Sequence, residues 1–183
     1  MSDILTVSGL TKRYGQLEAV KGVDFSVRAG EVFALIGPNG AGKTTTLRMV
    51  ATILQPSSGS IVLDGVDIVA KPADGRERLS YLPEEAGAYK SMKGSDYLKF
   101  MAEVFFESPA EQAESVRTAG EISGLGDRLG DKLGTYSKGM TRKLLLARSI
   151  MTKPKLAILD EPTSGLDVLG ALDIRDTIKA FAR

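Results

Sequence analysis

Apolar residues along the chain fall into short runs of differing period, separated by stretches rich in glycine, proline and serine. Near the start, Ile4-Leu5-Thr6-Val7 and Val23-Asp24-Phe25-Ser26-Val27 have strand character, the second alternating apolar and polar positions. The two predict an antiparallel sheet, with a turn between them at Tyr14-Gly15. Val32-Phe33-Ala34-Leu35-Ile36 is an uninterrupted apolar run with the length and β-branched content of a buried strand. Beyond the next glycines, Thr45-Thr46-Leu47-Arg48-Met49-Val50 starts a helical pattern that continues to Leu54 and stops at Gln55-Pro56-Ser57-Ser58-Gly59. Ser60-Ile61-Val62-Leu63-Asp64-Gly65 reads as a strand and turn joining the antiparallel layer, and Arg76 to Leu82 as a return to the central sheet, closing at Pro83-Glu84-Glu85.

From Ser95 to about Gly124 the pattern becomes helical. Ser95 stands at an N-cap position, and Tyr97, Leu98, Met101, Val104 and Phe105 recur at helical spacing. Ser108-Pro109 has the form of an N-cap followed by proline at the first helical position, opening a more polar helix. The aromatics Phe100, Phe105 and Phe106 are expected in the core of this block. Ser137 then precedes a helix whose stripe is Met140, Leu144, Ala147 and Met151, so its amides and positive end face outward. Lys155-Leu156-Ala157-Ile158-Leu159 is an apolar strand ending in Asp160-Glu161, and Val168 to Ala182 is a last amphipathic helix.

The candidate chemistry gathers at strand ends. Gly37-Pro38-Asn39-Gly40-Ala41-Gly42-Lys43-Thr44 is a complete G-x-x-x-x-G-K-T phosphate loop lying between the apolar run and the helix, the context the motif requires. Its glycines let successive N–H groups turn inward as an anion-binding concavity, to which the helix adds its positive end. Lys43 is expected to reach the β- and γ-phosphates, and the Thr44 hydroxyl to ligate Mg²⁺. Central parallel strands present ligands at their C-terminal ends. Asp160 is therefore expected to hold Mg²⁺ and Glu161 to polarise an attacking water as general base. The Tyr14 ring is a candidate for stacking on a purine.

Composition narrows the setting. At 183 residues the chain fits one domain, 1–183, and 43% hydrophobic with 26% charged residues is the make-up of a globular protein. With 24 Lys+Arg against 23 Asp+Glu the net charge is +1, so no global field argues for nucleic acid. The apolar runs are short and Met1-Ser2-Asp3 does not open a signal segment, which points to the cytosol.

Taken in order, these motifs resemble the nucleotide-binding domain of ABC-type ATPases from about Leu5 to the end of the chain. The resemblance implies an α/β P-loop NTPase (RecA-like) core with a mainly parallel sheet, an N-terminal antiparallel β-subdomain and an inserted helical subdomain over about 85–151. Thr11-Lys12-Arg13-Tyr14-Gly15 resembles the aromatic adenine-stacking loop, with Val20 beyond it. Tyr136-Ser137-Lys138-Gly139-Met140 is similar to the family's signature motif, and Ser164-Gly165-Leu166-Asp167 to its dimer-interface loop. The resemblance further implies a nucleotide-sandwich dimer of two head-to-tail copies around two ATP molecules. In it Ser137 and Gly139 contact the γ-phosphate held by the partner's phosphate loop, Asp167 lies at the interface, and Thr45 lies near the α-phosphate. Closure on ATP would drive a separate integral membrane permease, with this subunit peripheral at the inner face of the cell membrane and no nucleic acid involved. The resemblance also sets alternatives: a soluble ABC-type ATPase without a transporter, or a nucleotide-binding fragment without significant turnover.

Two departures qualify the resemblance. Glu84 stands where most of the family has glutamine, near Mg²⁺ or the attacking water. With the Ser-Lys-Gly-Met signature, the stretch Tyr81 to Tyr89 resembles the branch serving ABC-2 type exporters. The family also carries a further strand and a switch histidine, whereas this chain has no histidine and ends at Arg183. It is thus expected to be a C-terminally truncated piece of a longer ATPase that binds nucleotide and hydrolyses it poorly.

Overall fold

In a computed structural model, residues 3–182 are described; Met1, Ser2 and Arg183, the ends of the expected single domain, lie outside the described residues. The chain forms two compact units, one containing the residues up to Tyr81 and the other running from Leu82 to Phe181.

The first unit is built on a long hairpin. Strand β1, Asp3–Tyr14, pairs antiparallel with β2, Leu17–Arg28, and Gly15 takes φ 57° in the turn between them. Both strands are far longer than the apolar runs that announced them, because their polar halves pair through the backbone without needing a buried face. Alternation sends Leu5 and Val7 inward. A register shift between Val7 and Leu10, with Gly9 at φ 55°, lets Leu10 also point into the core. Strand β3, Ser58–Leu63, pairs with the other edge of β1, and a turn at Asp64-Gly65 leads to β4, Val66–Asp67, giving the order β2-β1-β3-β4. Leu5, Val7, Leu10, Val20, Ile61 and Leu63 fill the core of this unit. Helix α1, Lys43–Val50, buries Thr46, Met49 and Val50.

Three local expectations in this unit are corrected. Val32-Phe33-Ala34-Leu35-Ile36 is not a strand: no ladder partner engages it among the described residues, and Ile36 is 93% exposed. An apolar run fixes the wish for burial but not the neighbour that supplies it; here Phe33 stacks on Phe25 at 5.1 Å while Val32 and Ile36 stay exposed. Helix α1 ends at Val50 rather than Leu54, because Thr52 turns to φ 58° and the amides of Ile53 and Leu54 both return to the carbonyl of Arg48. Finally, Pro72–Arg76 forms a short helix, α2, so that strand β5 covers only Leu79–Leu82.

In the second unit, α3, Gly94–Phe105, α4, Pro109–Ser123, and α5, Lys138–Ile150, pack around Tyr97, Leu98, Ala102, Ala119, Leu144 and Leu145. Alanine at 102, 119 and 147 lets the helices approach closely. Pro109 opens α4 as expected, whereas the N-cap position of α3 falls on Lys93, which makes no side-chain cap bond, and not on Ser95. Phe100 and Phe105 are about 40% exposed, against the expectation of burial; only Phe106 packs on the core. Tyr97, Leu98 and Ala102 already occupy the core positions of α3, leaving Phe100 off that stripe and Phe105 at the last residue. Strand β6, Leu156–Leu159, is followed by α6, Val168–Phe181. Leu82, the final residue of β5, accepts the Asp160 amide at 2.9 Å, so the chain leaving β6 is anchored where β5 ends.

Candidate functional site

The predicted residues fall into two clusters, one in each unit. In the first, the loop from Gly37 to Gly42 turns twice through the left-handed region, at Gly40 with φ 81° and at Gly42 with φ 86°, before α1 begins at Lys43. The Ala41 amide closes on the Pro38 carbonyl at 3.2 Å, and the Thr46 amide on the Gly42 carbonyl at 2.8 Å. Gly42 is the N-cap of α1 and offers no side chain to cap it, so the positive end of the helix carries no polar side chain of its own cap residue. A Cβ at Gly42 would strike the Ala19 carbonyl and lie 3.1 Å from Cγ2 of Val20. Val20 is buried beneath the loop, where it supports Gly42. Lys43 bends back over the loop and donates from Nζ to the carbonyls of Gly37 at 2.8 Å and Pro38 at 3.1 Å. Its ammonium is therefore held among the residues that would surround a phosphate. Thr44 and Thr45 are half-buried on the first turn of α1. Tyr14 ends β1 at the hairpin turn with its ring half-exposed, and the Lys12 ammonium lies 5.2 Å from the ring centroid.

The second cluster lies around the chain leaving β6. Asp160 is 3% exposed, while Glu161 is exposed and takes φ 47°, an uncommon conformation for a residue with a side chain. The chain turns there: the Ser164 amide returns to the Glu161 carbonyl at 3.0 Å. The Ser164 hydroxyl donates to Oε1 of Glu84 at 2.9 Å, tying that carboxylate to the same turn. Asp167 accepts the Gly170 amide on Oδ1 at 2.7 Å and so caps the first turn of α6. Ser137 caps α5, its Oγ accepting the Met140 amide at 3.2 Å. The Lys138 side chain lies across Gly165, at a point where a side chain on that glycine would collide with it. Gly139 follows on the same exposed helix end, with room for a Cβ before Leu166. Ser137, Gly139, Glu84, Asp160, Glu161 and Asp167 thus belong to one unit, and Tyr14, Val20 and the residues from Gly37 to Thr45 to the other.

Sequence reading missed Arg142. It sits three and four residues before the buried Leu145 and Leu146, an arginine on an apolar stripe, and that position was the available signal. Burial lowers its pKa, while the nearby carboxylates Glu84 and Asp160 oppose that shift.

The family described as ABC transporter matches residues 20–164. This chain belongs to that family. The matched stretch contains the phosphate loop, the Ser137 helix end and the Asp160-Glu161 pair, with Tyr14 before it and Asp167 after it. Among relatives, the chain is 39% identical over 177 residues to the daunorubicin/doxorubicin resistance ATP-binding protein DrrA of Streptomyces peucetius, covering 97% of this chain and 54% of DrrA. It is 37% identical over 183 residues to an uncharacterized ABC transporter ATP-binding protein, YhcH of Bacillus subtilis, covering 100% of this chain and 59% of YhcH. The chain therefore spans between half and three fifths of the length of these two relatives. A solved structure of CbiO1 from Clostridium perfringens, part of the ABC transporter complex CbiONQ, superposes with a TM-score of 0.89 at 27% identity, covering 100% of this chain and 74% of that one. The α/β P-loop NTPase fold class expected from the motifs is the fold of this ABC transporter domain.

Proposed function

We propose that this chain is the ATP-binding subunit of an ABC exporter, binding Mg-ATP and hydrolysing it to drive a separate membrane permease. The observation that carries the reading is the phosphate loop: two left-handed glycines deliver the chain into the start of a helix, with Lys43 folded over the same loop. That arrangement offers convergent N–H donors and one fixed ammonium, the chemistry a triphosphate tail requires.

In this reading the amides from Gly37 through Gly42 and the Lys43 ammonium bind phosphate oxygens, with Pro38, Asn39 and Ala41 shaping the loop and Thr45 on the α-phosphate. Tyr14 stacks on the base, and Val20 holds the loop from below. Thr44 offers a hydroxyl and Asp160 a carboxylate, the hard oxygen donors that would hold Mg²⁺ alongside a nucleotide. Mg²⁺, when bound, neutralises charge developing on the phosphates. Glu84, whose carboxylate accepts the Ser164 hydroxyl in the same unit as Asp160, is a further candidate toward the metal or the attacking water. The exposed Glu161 takes a proton from the attacking water, a contribution of about 10²–10⁴-fold. Ser137 and Gly139, on the outward helix end, and Asp167 serve the nucleotide of a second copy in a head-to-tail dimer.

Residues 85–151, the helical block, meet the permease, which sets the subunit at the inner face of the membrane. No helix among the described residues is long and apolar enough to cross a bilayer itself. The drug-resistance name of DrrA supports export. Equilibrium titration with Mg-ATP tests the loop: saturable binding lost in Lys43→Ala is expected, and binding unchanged in that variant overturns the assignment.

A further inference from the structure

Arg142 lies in the second turn of α5 and is only 8% exposed. A buried guanidinium ordinarily answers to a carboxylate hydrogen-bonded to it. Here all five N–H groups go to main-chain carbonyls instead. Nε donates to Pro162 at 2.9 Å, Nη1 to Pro83 and Glu84 at 3.1 Å each, and Nη2 to Asp160 at 2.9 Å and Glu161 at 2.7 Å. These carbonyls come from two segments far apart in sequence, the one that follows β5 and the one that follows β6. One planar side chain therefore sets where two chain reversals lie relative to each other.

The segment after β6 needs such a hold. Glu161 is in the left-handed region, disfavoured for any residue with a Cβ, and persists there only if its surroundings over-determine it. Its carbonyl receives two donors, Nη2 of Arg142 and the Ser164 amide. Ser164 then passes its hydroxyl to Glu84, whose own carbonyl is held by Nη1. Glu84 is thus fixed at both its main chain and its carboxylate. Lysine has three donors on one atom and no planar fork, so it cannot reach both segments in the same geometry.

We propose that Arg142 is a positioning residue, fixing the Glu161 turn and the Pro83-Glu84 carbonyls in one arrangement so that the Glu161 carboxylate leaves the main chain in a set direction. The inference rests on the reading of Glu161 as general base, and Arg142 itself touches no substrate. Because Ser137 caps the same helix, a displacement of the α5 N-terminus carries Arg142 with it and moves both carbonyl segments. The helix end assigned to a neighbouring copy's nucleotide is thereby linked to this chain's own glutamate.

The test compares Arg142→Gln and Arg142→Lys with the parent chain and with Glu161→Gln, by site-resolved amide hydrogen exchange, Mg-ATP binding and steady-state phosphate release. In Arg142→Gln the amides of Ser164 and Asp160 should exchange at least about tenfold faster, the loss expected when hydrogen bonds from a charged donor are removed. The Thr46 amide, bonded to Gly42 in the phosphate loop, should exchange as in the parent, separating this local release from global unfolding. The kcat should fall ~10²-fold with KM within about twofold, the signature of a displaced catalytic group. Arg142→Lys should lie between the parent and Arg142→Gln in every readout.

Unchanged exchange at Ser164 and Asp160 overturns the proposal. So does a loss in which kcat, KM and Thr46 protection all move together. The exchange readout decides the matter even if turnover by the parent is slow. Should Glu161→Gln turn over like the parent, the base assignment fails separately, while faster exchange at Ser164 still supports the clamp.

Discussion

Gly42 and Gly40 differ in a way that isolates the cost of filling the phosphate loop. Both are left-handed, at φ 86° and φ 81°. A Cβ built at Gly40 meets nothing within 4 Å, whereas one at Gly42 collides with the Ala19 carbonyl and presses on Val20. Gly40→Ala should therefore cost only the conformational penalty, about 1–2 kcal/mol. Gly42→Ala adds the displacement of a backbone carbonyl that belongs to β2 and has no side-chain freedom with which to yield. Overpacking of that kind costs roughly 1–3 kcal/mol more, for a total of about 2–5 kcal/mol. Denaturant unfolding followed by circular dichroism reads the difference as a lower midpoint for Gly42→Ala at unchanged slope. Mg-ATP titration of the same pair should show affinity falling at least about tenfold further in Gly42→Ala, because about 1.4 kcal/mol of loop displacement is already a factor of ten. Equal midpoints and equal affinities in the two variants would refute the claim that β2 braces the loop through Ala19 and Val20.

Two more substitutions probe the other cluster. Ser137→Ala removes the cap of α5 and should lower stability by about 1 kcal/mol, with Ser137→Asn recovering most of it, as read from thermal unfolding. Glu84→Gln keeps an acceptor oxygen for the Ser164 hydroxyl and should cost less than about 1 kcal/mol in denaturant unfolding, whereas Glu84→Leu removes that acceptor and should cost more.

What could be read from the chain alone was local. The phosphate loop is legible because its glycines, lysine and threonine are consecutive, and the strain at Gly40 and Gly42 needs no distant partner to be inferred. Ser137 announced its helix for the same reason, its cap being a contact over three residues, and Pro109 did so through its fixed φ at the first position of α4. Pairing is different. The apolar run at Val32–Ile36 has a strand's composition, yet whether it becomes one depends on a neighbouring ladder that its own residues do not encode. Conversely, the polar halves of β1 and β2 became strand through backbone pairing despite weak patterns. Arg142 was invisible as a hub because its carbonyl partners lie between 18 and 59 residues away and are main-chain atoms with no side-chain signature. Glu84 to Ser164, 80 residues apart, is a contact of the same kind.

The most direct measurement is steady-state phosphate release from Mg-ATP, paired with equilibrium binding, for the parent chain, Lys43→Ala and Glu161→Gln. However slow the parent is, Lys43→Ala should lose both binding and release. Glu161→Gln should retain binding and lose release by about 10²–10⁴-fold, as expected when a general base is neutralised. Release that survives Glu161→Gln undiminished would contradict the account of this chain as an ATPase whose base is Glu161.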